Sequence, residues 1–129
     1  LVDPSTRIIA DPEQLKKVID NIVGNSIKYM DKPKGVINIR ILDEVDSVRV
    51  EIEDNGKGIS TKDLGKIFER FYRTDASRNS STGGSGIGLS IVKKIIEDHG
   101  GYIWATSKDG EGTCLHFVIR KYREAEENE

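Results

Sequence analysis

Apolar residues recur along this chain at two spacings, and each spacing predicts a kind of element. Leu15, Val18, Ile19, Ile22 and Ile27 follow a helical period. Asp11 can cap that helix, Pro12 suits its first position, and Glu13 is favourable in the first turn, so it should run to about Tyr29. The stretch "DKPKG" breaks it. Two alternating runs follow, "VINIRIL" and "SVRVEIED", joined by the polar turn "DEVDS", and they predict an antiparallel hairpin. A short helix opens at Ser60 or Thr61 in "STKDLGKIFERF", and a longer one covers 87–98 with Ile87, Ile91, Ile95 and Val92 inward. "HGG" ends that helix. "YIWATS" and "TCLHFVIRKY" read as strands around the turn "KDGEG", and "TRIIA" at 6–10 as a short first strand. Residues 73–85 have no apolar period and the small, polar composition of a loop, and the tail 121–129 reads as frayed. Helices and strands do not alternate strictly. The expected product is a two-layer α/β (α+β) sandwich, a mixed five-stranded sheet with about three helices on one face.

Composition narrows the function. A length of 129 residues suits one domain, 1–129, with a core over about 6–120. The formal charge of −2, from 20 basic and 22 acidic residues, points to neither a nucleic-acid partner nor direct membrane contact. No apolar run reaches the roughly 18 residues of a membrane span, and the start does not read as a signal peptide. The single cysteine, Cys114, allows no internal disulfide and lies in an alternating apolar run, which makes it a core residue. A reducing, cytoplasmic setting fits. The chain opens mid-pattern at "LVDPSTRIIADP", as a piece of something longer does.

The remaining signal lies in glycine and asparagine. "TGGSGIGLS" runs directly into a helix, yet it is neither GxxxxGK[ST], since no lysine follows until Lys93, nor GxGxxG, since Leu89 stands three after Gly86. Gly84, Gly86 and Gly88 before a helix present unpaired N–H groups and a positive dipole end, which makes an anion site to which Ser85 adds a hydroxyl. Asn21 and Asn25 share a helical face that Lys28 and Tyr29 extend. That face is either simply solvated or a row of oxygen ligands for Mg²⁺ with a lysine for phosphate. In "EDNGKGIS" a carboxylate, Asp54, stands at a sheet edge before two glycines, and it either begins an ordinary turn or accepts a hydrogen bond from an exocyclic amine. "KDGEGT" alone is a hairpin turn.

Taken in order, "NIVGNSIKY", "DNGKGI", "IFERFYR", "GGSGIGLSI" and "GEGT" resemble the N, G1, F, G2 and G3 boxes of the ATP-binding catalytic domain of sensor histidine kinases. The resemblance covers roughly residues 6 to 120. It implies the Bergerat ATP-binding fold, with the loop at about 73–85 as a lid over ATP and Mg²⁺. By position it implies that Asn25 ligates Mg²⁺ and Asn21 lines the same face. Lys28 would contact phosphate, Tyr29 would pack by the adenine, and Asp54 would bind the adenine amine. Gly56, Gly58 and Ile59 would let backbone close in, and Thr113 would add a minor polar contact. Phe68 and Phe71 would anchor the lid, although both also read as core. Arg70 and Arg73 would reach the γ-phosphate side or form a solvated basic patch. Gly84, Ser85, Gly86, Ile87, Gly88 and Leu89 would receive the phosphates. Ser26 stands where alanine is usual and Met30 where serine is common.

The same resemblance separates two chemistries. Hydrolysing relatives carry a glutamate one turn before the magnesium asparagine; here that position is Asn21, whose amide cannot act as a general base. Transfer of the γ-phosphoryl to a protein histidine is therefore the expected reaction, with positioning and charge neutralisation as its catalysis. Neither His99 nor His116 stands in the family's H-[ED]-x-x-[TN]-P context, so the acceptor is expected on a separate dimerisation domain. The other expectations are a response regulator served indirectly, a monomeric fragment, and a parent that is a membrane sensor. An ATP-sensing module, an anti-sigma-like serine kinase and a gyrase-like ATPase share the fold and stay open at this point.

Overall fold

The first helix forms where its cap allows. In the computed structural model, which describes residues 3–69 and 88–122, α1 spans Pro12–Lys28, and the Asp11 side chain accepts from the amides of Glu13 and Gln14. Its buried positions are Val18, Ile22 and Ser26, one line at a spacing of four. Ile27, expected on the apolar stripe, is instead 63% exposed. Nine residues beyond Val18, it lies about 180° around the helix, so period alone mis-assigned its face.

Among the described residues four strands follow: β1 (Ile37–Asp43), β2 (Ser47–Asp54), β3 (Tyr102–Lys108) and β4 (Gly112–Arg120). Between β2 and β3 lie α2 (Thr61–Leu64), capped by Ser60, and α3 (Gly88–Asp98). The sheet order is β1-β2-β4-β3, and every pairing is antiparallel. This corrects the mixed, five-stranded expectation in two respects. The crossover does carry β3 to the same direction as β2, but β4 inserts between them, so no parallel pair forms among the described residues. Residues 6–10 contribute only the isolated bridge Ile8↔Lys121, with Ile9 N–H donating to the Arg120 carbonyl at 3.0 Å and Tyr122 N–H to that of Arg7 at 2.8 Å.

One face of the sheet builds the core. Ile52, Leu115, Phe117 and Ile119 meet Val18 and Ile22 of α1 and Val92, Ile95 and Ile96 of α3. Each such side chain fully buried contributes roughly 1.5–3 kcal/mol. On α3 the inward stripe is Val92, Ile95 and Ile96, whereas Ile91 stays 37% exposed and Ile87 lies outside the described residues. Beyond α3, the amides of Gly100 and Gly101 donate to the carbonyls of Glu97 and Ile96 and turn the chain into β3.

The opposite face carries a continuous polar and aromatic ladder. Tyr102 stacks on Trp104 at 5.4 Å between centroids, and Trp104 on His116 at 4.9 Å. His116 Nδ1 lies 3.0 Å from Glu51, whose other oxygen accepts from Arg40 Nε at 3.0 Å. Burial opposes ionisation of Glu51, but the hydrogen bonds from Arg40 and His116 prevail and hold its carboxyl below the usual range. Burial, reinforced by Glu51 and Glu53, pushes the Cys114 thiol up to about 11, so it is protonated at neutral pH. The donor atoms of Glu51, Cys114 and His116 lie within 4.8 Å of one another. Two guanidiniums flank them: Arg40 bonds both Glu51 and Glu53 and lies 3.9 Å from Cys114 Sγ, and Arg49 Nε lies 3.5 Å from Glu51.

Candidate functional site

The second half of α1 touches two other glycine-rich segments with the face that carries Asn21, Asn25, Lys28 and Tyr29. Asn21 donates its amide to the Lys17 carbonyl at 2.8 Å, and its Oδ1 would lie 3.2 Å from a Cβ placed on Gly88, the first residue of α3. Eight residues on, about 12 Å along the axis, Tyr29 caps the helix. Its carbonyl accepts from Lys57 N–H at 3.2 Å and would lie 2.8 Å from a Cβ on Gly56. The start of α3 and the loop after β2 therefore flank the same helical face. Asn25 lies between them, half-buried, and no hydrogen bond engages its side chain among the described residues.

The loop after β2 is held by its own first residue. Asp54 Oδ1 accepts from Gly56 N–H at 2.9 Å and from Thr113 N–H at 3.3 Å. No bond occupies its Oδ2 among the described residues. Gly58 has φ 77° and Gly112 φ 137°, both in the region that side chains avoid. A Cβ on Gly58 would overlap the Lys108 carbonyl, and one on Gly112 the Asp54 carbonyl, so this loop and the β3–β4 turn pack backbone on backbone. Ile59 N–H donates to Ser107 Oγ at 2.7 Å, and Ser107 also bonds the Gly112 carbonyl and Thr113 Oγ1. A shallow depression of about 290 Å³ beside this cluster is lined by residues that include Asp54, Ser107, Gly112 and Thr113.

The structure thus brings Asn21, Asn25, Tyr29, Asp54, Gly56, Gly58, Ile59, Gly88 and Thr113 into one connected region. Lys28 Nζ lies over the Tyr29 ring at 5.3 Å. Phe68 and Leu89 pack against the core, which agrees with the core reading of Phe68. Arg70, Phe71, Arg73, Gly84, Ser85, Gly86 and Ile87 lie outside the described residues. Sequence reasoning missed three residues of this region. Ser107 was legible only as a strand residue. Lys57 sat inside the glycine motif without a role, and Lys32 lay in the "DKPKG" break.

Both histidines have their ring nitrogens engaged. His99 Nε2 accepts from Asp11 N–H at 3.0 Å while Nδ1 pairs with the Ile95 carbonyl, tying the end of α3 to the start of α1. His116 bonds Glu51 and, through Nε2, Thr106 at 2.9 Å. Among the described residues no helix is long and apolar enough to cross a membrane.

These features coincide with known proteins. The family model for the histidine kinase-, DNA gyrase B-, and HSP90-like ATPase matches residues 10–123. The sensor histidine kinase WalK of Bacillus subtilis is 37% identical over 132 residues, covering 100% of this chain and 21% of that protein. The chain therefore spans about a fifth of the length of that curated relative. Among solved structures, the mycobacterial sensor histidine kinase MprB superposes with a TM-score of 0.81 at 29% identity, over 92% of this chain and 80% of the other. Full-length ShkA, solved in complex with AMPPNP, gives 0.77 at 25% identity, over 95% of this chain and 25% of the other. A match across nearly the whole length, together with the clustered motifs, establishes that the chain belongs to the histidine kinase-, DNA gyrase B- and HSP90-like ATPase family.

Proposed function

We propose that this chain is the ATP-binding catalytic domain of a two-component sensor histidine kinase, which delivers the γ-phosphoryl of Mg·ATP to a histidine on a separate helical dimerisation domain, for relay to a response regulator. One observation carries the reading: a single face of α1 meets the start of α3 at Asn21 and the loop after β2 at Tyr29, with the uncommitted Asn25 between. Asn25 offers a neutral oxygen of the kind Mg²⁺ accepts, and no hydrogen bond among the described residues has to break to free it. The free Oδ2 of Asp54 can accept from the exocyclic amine of adenine, while its Oδ1 fixes the loop. Gly56, Gly58 and Gly112 keep backbone where side chains would fill the space, and Lys28 supplies a cation for phosphate oxygens. When bound, Mg·ATP supplies the transferable group and a metal that neutralises its charge. Arg70 and Arg73 would steady charge at the γ-phosphate, and Gly84 to Gly88 would receive the phosphates on their amides. We place the domain on the cytoplasmic side of a membrane-anchored parent, with dimerisation supplied by the acceptor domain.

Transfer is favoured over hydrolysis by what stands near Asn25. Asn21 is an amide, and Asp20 is bound to Lys16 at 2.6 Å on an exposed part of the helix. Neither is a general base for water at this site. Phosphate labelling in trans tests the proposal. With a supplied helical dimerisation domain, the chain should place label from ATP on that domain's histidine, in a Mg²⁺-dependent, acid-labile form. Steady phosphate release without any acceptor, or bound Mg·ATP with no transfer, would contradict it.

A further inference from the structure

A lysine that no motif includes joins the three loops at the adenine end of the proposed site. Lys32 Nζ donates to the Gly56 carbonyl at 3.0 Å, to the Gly110 carbonyl at 3.0 Å and to Asp31 at 2.9 Å. Gly110 N–H donates to the Lys57 carbonyl at 2.6 Å, and Lys57 N–H to that of Tyr29. Gly56 N–H in turn donates to Asp54 Oδ1. The end of α1, the loop after β2 and the β3–β4 turn are thus closed into one hydrogen-bonded ring, in which the Lys32 ammonium bonds the loop and the turn together.

The chain segment that carries Lys32 is itself anchored. Asn55 accepts from Val36 N–H at 2.8 Å and donates to the Lys34 carbonyl at 3.0 Å, so the segment between Tyr29 and Val36 is fixed at both ends over the loop after β2. An ammonium on a held backbone loses less freedom in making its bonds than one on a free loop. Its three acceptors consume all three of its protons, which leaves none to contact a ligand. Its effect on a nucleotide must therefore pass through the groups it holds.

We propose that Lys32 is a positioning residue for base recognition: its ammonium locks Gly56 and the β3–β4 turn so that the Asp54 carboxylate presents a fixed acceptor to adenine. The inference rests on the nucleotide-binding reading above. It separates base recognition from phosphate chemistry, because every group in the ring lies at the Asp54 end and none at the α3 start.

Equilibrium binding of Mg·ATP and Mg·GTP to K32M and K32R tests it, together with amide hydrogen exchange and phosphotransfer to a supplied acceptor. K32M should bind Mg·ATP about tenfold more weakly, a loss of ~1.4 kcal/mol. It should discriminate less between ATP and GTP, yet transfer at the wild-type rate when ATP is saturating. Amides of Gly56, Lys57 and Gly110 should exchange faster, and K32R should recover most of the loss. Wild-type affinity and selectivity in a folded K32M would overturn the proposal. A fall in affinity that tracks global destabilisation, unrescued in K32R, would assign Lys32 to stability and also overturn it. Failure of the unaltered chain to bind Mg·ATP would instead remove the underlying nucleotide reading.

Discussion

Asn25→Ala should lose metal-dependent nucleotide binding, weakening the affinity for Mg·ATP by about 100-fold, or ~2.7 kcal/mol. The effect should vanish when Mg²⁺ is chelated, because the variant lacks only the oxygen proposed to face the metal. Stability should move the other way. Asparagine is a poorer helix former than alanine, and the Asn25 side chain makes no hydrogen bond among the described residues. The variant should therefore unfold at the same temperature as the wild type or slightly above it. Calorimetric titrations with and without Mg²⁺, beside a thermal melt, measure both. Equal Mg·ATP affinity in the two proteins would remove Asn25 from the metal site. A large fall in melting temperature would show a structural role that the geometry does not support.

Asp54→Asn should change which base is preferred, and the reason lies in how its two oxygens divide their work. Oδ1 accepts from Gly56 and Thr113, so an asparagine oxygen placed there keeps the loop. The free atom then changes from an acceptor to an N–H donor. Facing an exocyclic amine it presents donor to donor, and an unsatisfied buried pair of that kind costs roughly 1–3 kcal/mol. ATP affinity should fall by about 10- to 100-fold. GTP, which offers a carbonyl at the equivalent ring position, should lose little or gain. Competition binding with the two Mg-nucleotides reads the ratio. An equal loss for ATP and GTP would mean that Asp54 serves loop stability alone.

Much of this region was legible in the sequence, for local reasons. Asp11 before Pro12 marks a helix start through its own capping chemistry, and the two alternating runs around "DEVDS" pair as read. Glycines are legible because few other residues tolerate their positions. Gly58 and Gly112 need positive φ, and Gly56 has no room for a Cβ beside the Tyr29 carbonyl. What stayed hidden depends on the rest of the fold. Ile91 and Ile96 are equally apolar, and only the docking of α3 on the sheet decides that Ile96 is fully buried and Ile91 is not. The strand order was also out of reach, because nothing in β3 or β4 announces that β4 slots between β2 and β3. Lys32 was invisible for a different reason. Its three acceptors are backbone carbonyls and a neighbouring aspartate, groups that leave no mark on which residue must supply the donor.

The outward ladder shows that a polar cluster need not be a ligand site. Glu51, Cys114 and His116 are close enough to suggest a metal, but Arg40 already compensates the charge there. Asn25 and the second oxygen of Asp54 differ in having no internal partner among the described residues. Preorganised polar groups without an internal partner are what a binding site requires, since the folded chain has already met the cost of ordering them.

Amide chemical-shift mapping during a Mg·ATP titration tests the convergence most directly. Saturable shifts should appear together, with one dissociation constant, along Asn21 to Tyr29, from Asp54 to Ile59, at Gly88 and Leu89, and at Thr113, while Trp104 and His116 on the far face stay still. Shifts confined to the far face, or scattered ones that never saturate, would mean that these segments are neighbours without a shared ligand.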